Sequence, residues 1–323
     1  MSAERPVTLT DVRDAAARLA GRVTRTPLRL SPYLTEHFGH TVKLKLETMQ
    51  DTGAFKIRGA TNALLSLSDE QRARGVIAVS TGNHGRGVAF AAKALGVTCA
   101  IYMSELVPAN KVDAIRKLGA EVVIAGRSQD EAEVAAMDRI DKDGLTYLHP
   151  FDTPPVIAAQ GTIGLEILED MPDVANVLVP LSGGGLFAGI AVAIKTLRPD
   201  THLVGITMDR GAAMIESLAA GKPVAVEEVE SLADSLGGGI GLENKHTFDI
   251  TRRLIDETLL LTEDEIAAAM RTLFREDRIV AEGSAAVGVG ALMSGKLSLA
   301  PGPTAIVVSG CNVDMERFLE IVN

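Results

Sequence analysis

Six short apolar runs recur along the 323-residue chain: "GVIAVSTGN", "TCAIYMS", "AEVVIAG", "NVLVPLSGGG", "HLVGITMD" and "TAIVVSGCN". Their apolar stretches are continuous rather than alternating, as expected of parallel strands covered by helices on both faces. Between them lie helix-forming segments such as "GRGVAFAAKALG", "NKVDAIRKLGA" and "TEDEIAAAMRTLFRED", the last with Thr262 and Glu265 at the spacing of a capping box. Strand and helix in alternation predict an α/β protein of βαβ units with open parallel sheets. Hydrophobic residues make up 46 % of the chain, ample for a core. Neither internal repeats nor a Pro/Ser-rich linker is visible, so a second domain would be wrapped into the first. Residues 174–194 carry no charge and imitate a membrane span, but Pro180 and Gly183–Gly185 break them into a strand, a glycine loop and a helix.

In open parallel sheets, ligands collect beyond the carboxyl ends of the strands. Three runs end there in glycine and small polar residues: Ser80-Thr81-Gly82-Asn83, Ser182–Gly185, and Ser309-Gly310-Cys311-Asn312. Together they describe a polar pocket with close backbone approach. The formal charge of −10 argues against a nucleic-acid partner. Cys99 and Cys311 follow no metal or disulfide spacing, which suits a reducing cytoplasm, and the charged, amphipathic N-terminus is unlike a signal peptide. The expectation is a cytoplasmic protein with neither membrane nor nucleic-acid partner.

"SGGGLFAG", residues 182–189, joins a strand to a helix. Consecutive glycine N–H groups at a helix start can cradle a phosphate, and the same sequence suits a tight turn packed against a neighbour. Gly183, Gly185 and Ala188 also satisfy G-x-G-x-x-A, with Asp209 after the next strand, so a dinucleotide-dependent oxidoreductase is a rival reading. In "STGNHGRGVAF", Asn83 offers a neutral donor and acceptor at a strand–helix junction. An ordinary helix cap explains it equally, and His84 alone reads as structural. "ETMQDTGAFKIRGATNA" puts Lys56 at or beside a helix N-terminus, where the dipole opposes an ammonium. A solvated lysine is one explanation. The glycine-bounded apolar context offers another: burial and the positive helix end lower the pKa and favour a nucleophilic amine that forms Schiff bases. With a phosphate cradle elsewhere, the implied ligand is an aldehyde carrying a phosphate.

In order along the chain, "TGAFKIRGA", "STGNHGRGVA", "HPFDTPPVIAAQGTIGLEIL", "SGGGL", "VAEGSAAVGVGAL" and "VVSGCNVD" resemble the fold-type II pyridoxal-phosphate enzymes of the threonine dehydratase and serine racemase family. "SLADSLGGGIGLEN" and "GRSQDEAE" look most like its hydroxyectoine-utilisation dehydratases. The resemblance implies two open parallel-sheet α/β domains with the cofactor, pyridoxal 5'-phosphate, in the cleft between them. Residues 1–70 and 148–323 would form the large domain and 71–147 a small one inserted into it. It implies that Lys56 forms the Schiff base with the cofactor, with Phe55 beside the ring and Asn83 on its phenolic oxygen. Gly183, Gly184, Gly185 and Leu186 would hold the phosphate, and Ser309 would face the pyridine nitrogen. Ser80, Thr81, Gly82 and His84 would border the carboxylate of an amino-acid substrate, with Arg86 beside them. Thr81 also stands where racemases of the family place a serine that returns a proton to Cα.

The implied reaction is dehydration and deamination of a β-hydroxy amino acid to a 2-oxo acid and ammonia, in a homodimer. A racemase of the same family is an alternative, and a non-catalytic amino-acid sensor a third, although a sensor could dispense with Lys56. Four positions depart from the family pattern. Arg86 replaces a glutamine, and Phe151 an asparagine that commonly helps the phosphate. Met208 and Met214 stand where metal-dependent racemases carry acidic ligands, so no metal is expected. The chain also ends soon after "SGCNVD", which leaves no room for a regulatory domain.

Overall fold

A computed structural model describes residues 5–80, 82–105, 107, 109–127 and 129–323. Among them, ten strands form two sheets. The larger has the order β1 (Leu28–Leu30), β2 (Val42–Leu46), β10 (Thr304–Val308), β7 (Asn176–Pro180), β8 (His202–Met208), β9 (Glu257–Leu261). Only the β1–β2 pair is antiparallel. The smaller sheet is wholly parallel, in the order β5 (Glu121–Ile124), β4 (Cys99–Met103), β3 (Val76–Val79), β6 (Thr146–Tyr147). The central strands β7 and β10 are buried at every residue, as their uninterrupted apolar sequence requires.

Register brings the functional loops together. Val308 at the end of β10 pairs with Leu46 of β2, and Ile306 with Leu178 of β7, so the segments after β2, β7 and β10 emerge side by side. The loop after β2 is tied to the one after β10: Phe55 N–H donates to the Ser309 carbonyl (3.0 Å) and Cys311 N–H to that of Gly53 (2.8 Å). In the smaller sheet, Ile77 pairs with Tyr147, which sets the Ser80 loop beside residues 149–151.

The helix Lys56–Leu65 lies between the two sheets and is buried from Ile57 to Leu64. Its Ala60, Ala63 and Leu64 enter the core of the smaller sheet with Val88 and Ile101, so Leu64→Ala would cost about 2–5 kcal/mol. A Cβ at Gly87, on the helix Asn83–Leu95, would lie 3.2 Å from the backbone of Lys56 and Ile57. Glycine there lets the two helices touch directly beneath Lys56.

Two residues beyond Lys56 the same helix sends Arg58, 1 % exposed, into a buried ionic network. Arg58 pairs twice with Glu47 (2.9 and 2.8 Å) and twice with Glu166 (2.6 and 2.9 Å). Lys45 reaches Glu166 (2.5 Å) and the Thr26 carbonyl, while Thr26 and Gln50 donate to Glu47. Burial works to raise the Glu47 carboxyl, and the charge and hydrogen bonds of Arg58 outweigh it, so Glu47 titrates below the usual range. Two cations and two anions thus anchor the first turn of the Lys56 helix to β2, the segment after it and the helix Pro154–Asp170.

Candidate active site

A cavity of about 490 Å³ opens between the carboxyl ends of the two sheets. Lys56 enters it half-buried from its helix N-terminus, its Nζ donating to the Pro150 carbonyl (2.8 Å) and lying 5.4 Å from the centre of the Phe55 ring. Burial lowers the Lys56 ammonium to a pKa of about 8, so roughly a tenth is free amine at pH 7, far more than for an ordinary lysine.

The glycine loop stands on the side of the larger sheet. Gly184 has φ +88°, the left-handed region, and starts the thirteen-residue helix Gly185–Leu197 without a side-chain cap. Gly183–Leu186 are buried, so the unspent N–H groups of the first turn face the cavity rather than bulk water. Such a helix start suits an anion. The glycines are demanded by packing as well. A Cβ at Gly183 would lie 2.5 Å from the Phe151 ring, and one at Gly184 would lie 2.7 Å from the Met214 methyl. Phe151, where an asparagine was expected to assist the phosphate, lies against this loop. Asp152 anchors it by accepting from the N–H groups of Lys245, His246 and Thr247 (2.6, 3.0 and 2.8 Å).

From the smaller sheet come Ser80, Gly82, Asn83 and His84. Ser80 Oγ accepts from Gly82 N–H (3.3 Å). His84 Nε2 donates to the Leu148 carbonyl (2.7 Å), and burial with the nearby Lys56 charge lowers its pKa to about 3, so the ring is neutral. Thr81 lies outside the described residues. Phe55, Leu186 and Ser309 line the cavity with Lys56 and the glycines. Arg86 differs: it does not line the cavity, and its Nη1 donates to Asn312 Oδ1 (2.6 Å). In this arrangement the guanidinium faces Asn312. Asn312 prevails because it gives the guanidinium an acceptor and itself donates to Asn83 (2.7 Å).

Among the lining residues that escaped the sequence reading, Glu282, His149 and Gln160 stand nearest the chemistry in character. Glu282, 4 % exposed, accepts from Asn83 Nδ2 (2.8 Å), Ser284 (2.9 Å) and Asn312 N–H (3.1 Å), and burial raises its pKa. His149 Nδ1 accepts from Phe151 and Asp152 N–H, and burial lowers it to about 4. Gln160 lies in the apolar run "VIAAQGTIG". Glu282 and Gln160 each had a signal, a lone polar residue in a stretch otherwise fit for a core.

A nucleophilic amine, an uncapped helix start for an anion and a polar wall with neutral histidines define an enzyme site for a phosphate-bearing carbonyl compound. The residues present therefore fit pyridoxal phosphate. Residues 19–310 match the family model for pyridoxal-phosphate dependent enzymes, and the chain belongs to that family. It is 43 % identical over 317 residues to an L-threonine ammonia-lyase of Thermotoga maritima, covering 98 % of this chain and 78 % of the relative. Among solved structures it resembles maize serine racemase, with TM-score 0.92 and 31 % identity over 98 % of this chain and 97 % of that one. The processed threonine deaminase isoform 2 of Solanum lycopersicum gives TM-score 0.90 and 34 % identity over 98 % and 94 %. These neighbours are fold-type II enzymes, and the fold is theirs.

Proposed function

We propose that the protein is an ammonia-lyase that dehydrates and deaminates a β-hydroxy amino acid of the threonine or serine type. The observation that carries this is Lys56, a half-buried amine with its pKa lowered to about 8, in one cavity with the uncapped glycine helix start. Bound pyridoxal phosphate would supply the electron sink for the Cα–H bond electrons. Gly183, Gly184, Gly185 and Leu186 would hold its phosphate through backbone N–H groups. Asn83, Phe55 and Ser309 would orient its ring. Ser309 would present a hydroxyl rather than a carboxylate to the pyridine nitrogen, which would make a weaker sink and favour prompt loss of a β-leaving group. Lys56 would carry the cofactor and then, as free amine, remove the Cα proton. That proton is available to the departing hydroxyl, which leaves as water. The enamine released takes up water to give the 2-oxo acid and ammonia. Ser80, Thr81, Gly82 and His84 would border the substrate carboxylate.

Borohydride reduction of the loaded protein should place the label on Lys56, and L-threonine or L-serine should yield ammonia and 2-oxo acid in equal amounts. Label on another lysine sinks the assignment. The likeness to maize serine racemase supports a racemase as the second reading. Inverted amino acid accumulating faster than 2-oxo acid in a chiral assay would favour it. The proposal includes residues 71–147 as an inserted small domain, a homodimer testable by sedimentation, and a place in hydroxyectoine catabolism. It includes a cytoplasmic setting, which the two free cysteines support.

A further inference from the structure

Gln160 is 1 % exposed, and neither its amide oxygen nor its amide nitrogen has a partner among the described residues. An unpaired buried polar group is costly, and folded proteins seldom leave one without a use. Its place suggests the use. A Cβ at Gly59 would lie 2.5 Å from Gln160 Nε2, so the amide rests against the Lys56 helix one turn beyond Lys56. Residues three apart on a helix share a face, with Cβ atoms roughly 5–6 Å apart. Gln160, Lys56, Pro150 and Val156 all line the same cavity. An ammonium carries three donors, and the Pro150 carbonyl takes one from Lys56.

We propose that Gln160 is a positioning residue for Lys56, its Oε1 accepting a hydrogen bond from Nζ when the amine has taken up a proton beside the reacting carbon. This rests on the reading of Lys56 as the reactive amine. An amide suits the task because it supplies an acceptor without a charge. A carboxylate there would hold the lysine protonated and spoil it as a base, and a hydrocarbon would leave the ammonium unsolvated. Other titratable groups reach the same cavity from the surrounding elements. They are His84 on the helix Asn83–Leu95, Tyr147 and His149 at and after β6, and Glu282 before the helix Gly283–Met293. Glu133, Glu228 and Asp234 complete the lining. Both histidines stay neutral and so add no charge beside Lys56.

The test measures the titration of Lys56 in the full-length, cofactor-free protein by competitive acetylation across pH, for wild type, Gln160→Met and Gln160→Glu. Gln160→Met should lower the Lys56 midpoint by about half a unit or more, and Gln160→Glu should raise it by about a unit. Should Gln160→Met fail to fold, Gln160→Glu and Gln160→Asn carry the comparison. Borohydride labelling of each loaded variant is the separate check on the underlying reading. Midpoints within about 0.2 unit of wild type in folded variants, with the label still on Lys56, overturn the role of Gln160 alone. Label elsewhere overturns both readings.

Discussion

Lys56 and Arg58 leave the same helix turn for opposite environments. Arg58 enters a network in which two buried cations meet two carboxylates and further hydroxyl and carbonyl partners. Lys56 enters a cavity in which its ammonium donates to a carbonyl and faces the Phe55 ring, the histidines are neutral and Gln160 is unpaired among the described residues. Burial acts on both. Arg58 has its counter-charges and stays ionised, with its pKa raised, whereas Lys56 forms no ion pair among the described residues and burial lowers it to about 8. The same helix thus gains fixity from charges that are satisfied and reactivity from a charge that is not.

Removing each cation gives the largest contrast. Arg58→Met strands Glu47, leaves Glu166 to Lys45 alone and should cost about 3–5 kcal/mol in urea unfolding. Lys56→Met strands no partner charge and should leave stability unchanged or raised, while abolishing turnover. Equal losses in the two variants would erase the distinction between the regions.

Titration sharpens it next. The folded-state pKa of Lys56 lies near 8 against an unfolded value of 10.5, so the unfolded chain binds more protons between those limits. Stability of the cofactor-free protein should therefore rise with pH across that window, by at most about 1.4 kcal/mol per unit from this group. Lys56→Met should lose that slope. Glu47 acts with the same sign in a lower window: its folded pKa is depressed, so its contribution is present above the ordinary carboxylate range and lost as pH falls. Chemical denaturation of wild type and Lys56→Met from pH 7 to 10.5 decides the first. An unchanged slope in the variant refutes it.

A metal requirement would blur the contrast by adding a charge. Met208 and Met214 are buried, and the Met214 methyl packs against Gly184, so this position supports the glycine loop instead. Thioethers are poor donors for magnesium or calcium. Activity should change less than about twofold in EDTA, and a strong loss restored by magnesium would show otherwise.

The sheets, the three loops and the site at their ends were legible because buried parallel strands need unbroken apolar runs and close approaches need glycine. Lys56 was legible from its clash with the helix dipole. What stayed hidden depends on contacts between distant segments. Arg58 reads as a surface residue until Glu47 and Glu166 are brought to it. Glu282 sits 199 residues from the Asn83 amide it accepts from. The orientation of Arg86 required Asn312, supplied 226 residues later by the loop after β10.

Arg86 accordingly carries the smallest expected effect. Its guanidinium donates to Asn312, whose amide donates to Asn83 Oδ1 and the Thr52 carbonyl (2.7 and 2.8 Å). Asn83 in turn donates to Glu282. Glutamine at position 86 keeps an N–H donor for Asn312 and loses the charge. Between a charged and a neutral donor to one neutral acceptor, the difference is about a kcal/mol or less when the pair is half-buried. Arg86→Gln should therefore change kcat/KM by no more than about threefold and leave the ranking of L-threonine, L-serine and longer β-hydroxy amino acids as it is. A changed ranking would return Arg86 to the substrate side of the wall. It would mean that the guanidinium swings away from Asn312 when substrate binds, and that the paired and unpaired regions exchange a cation during turnover.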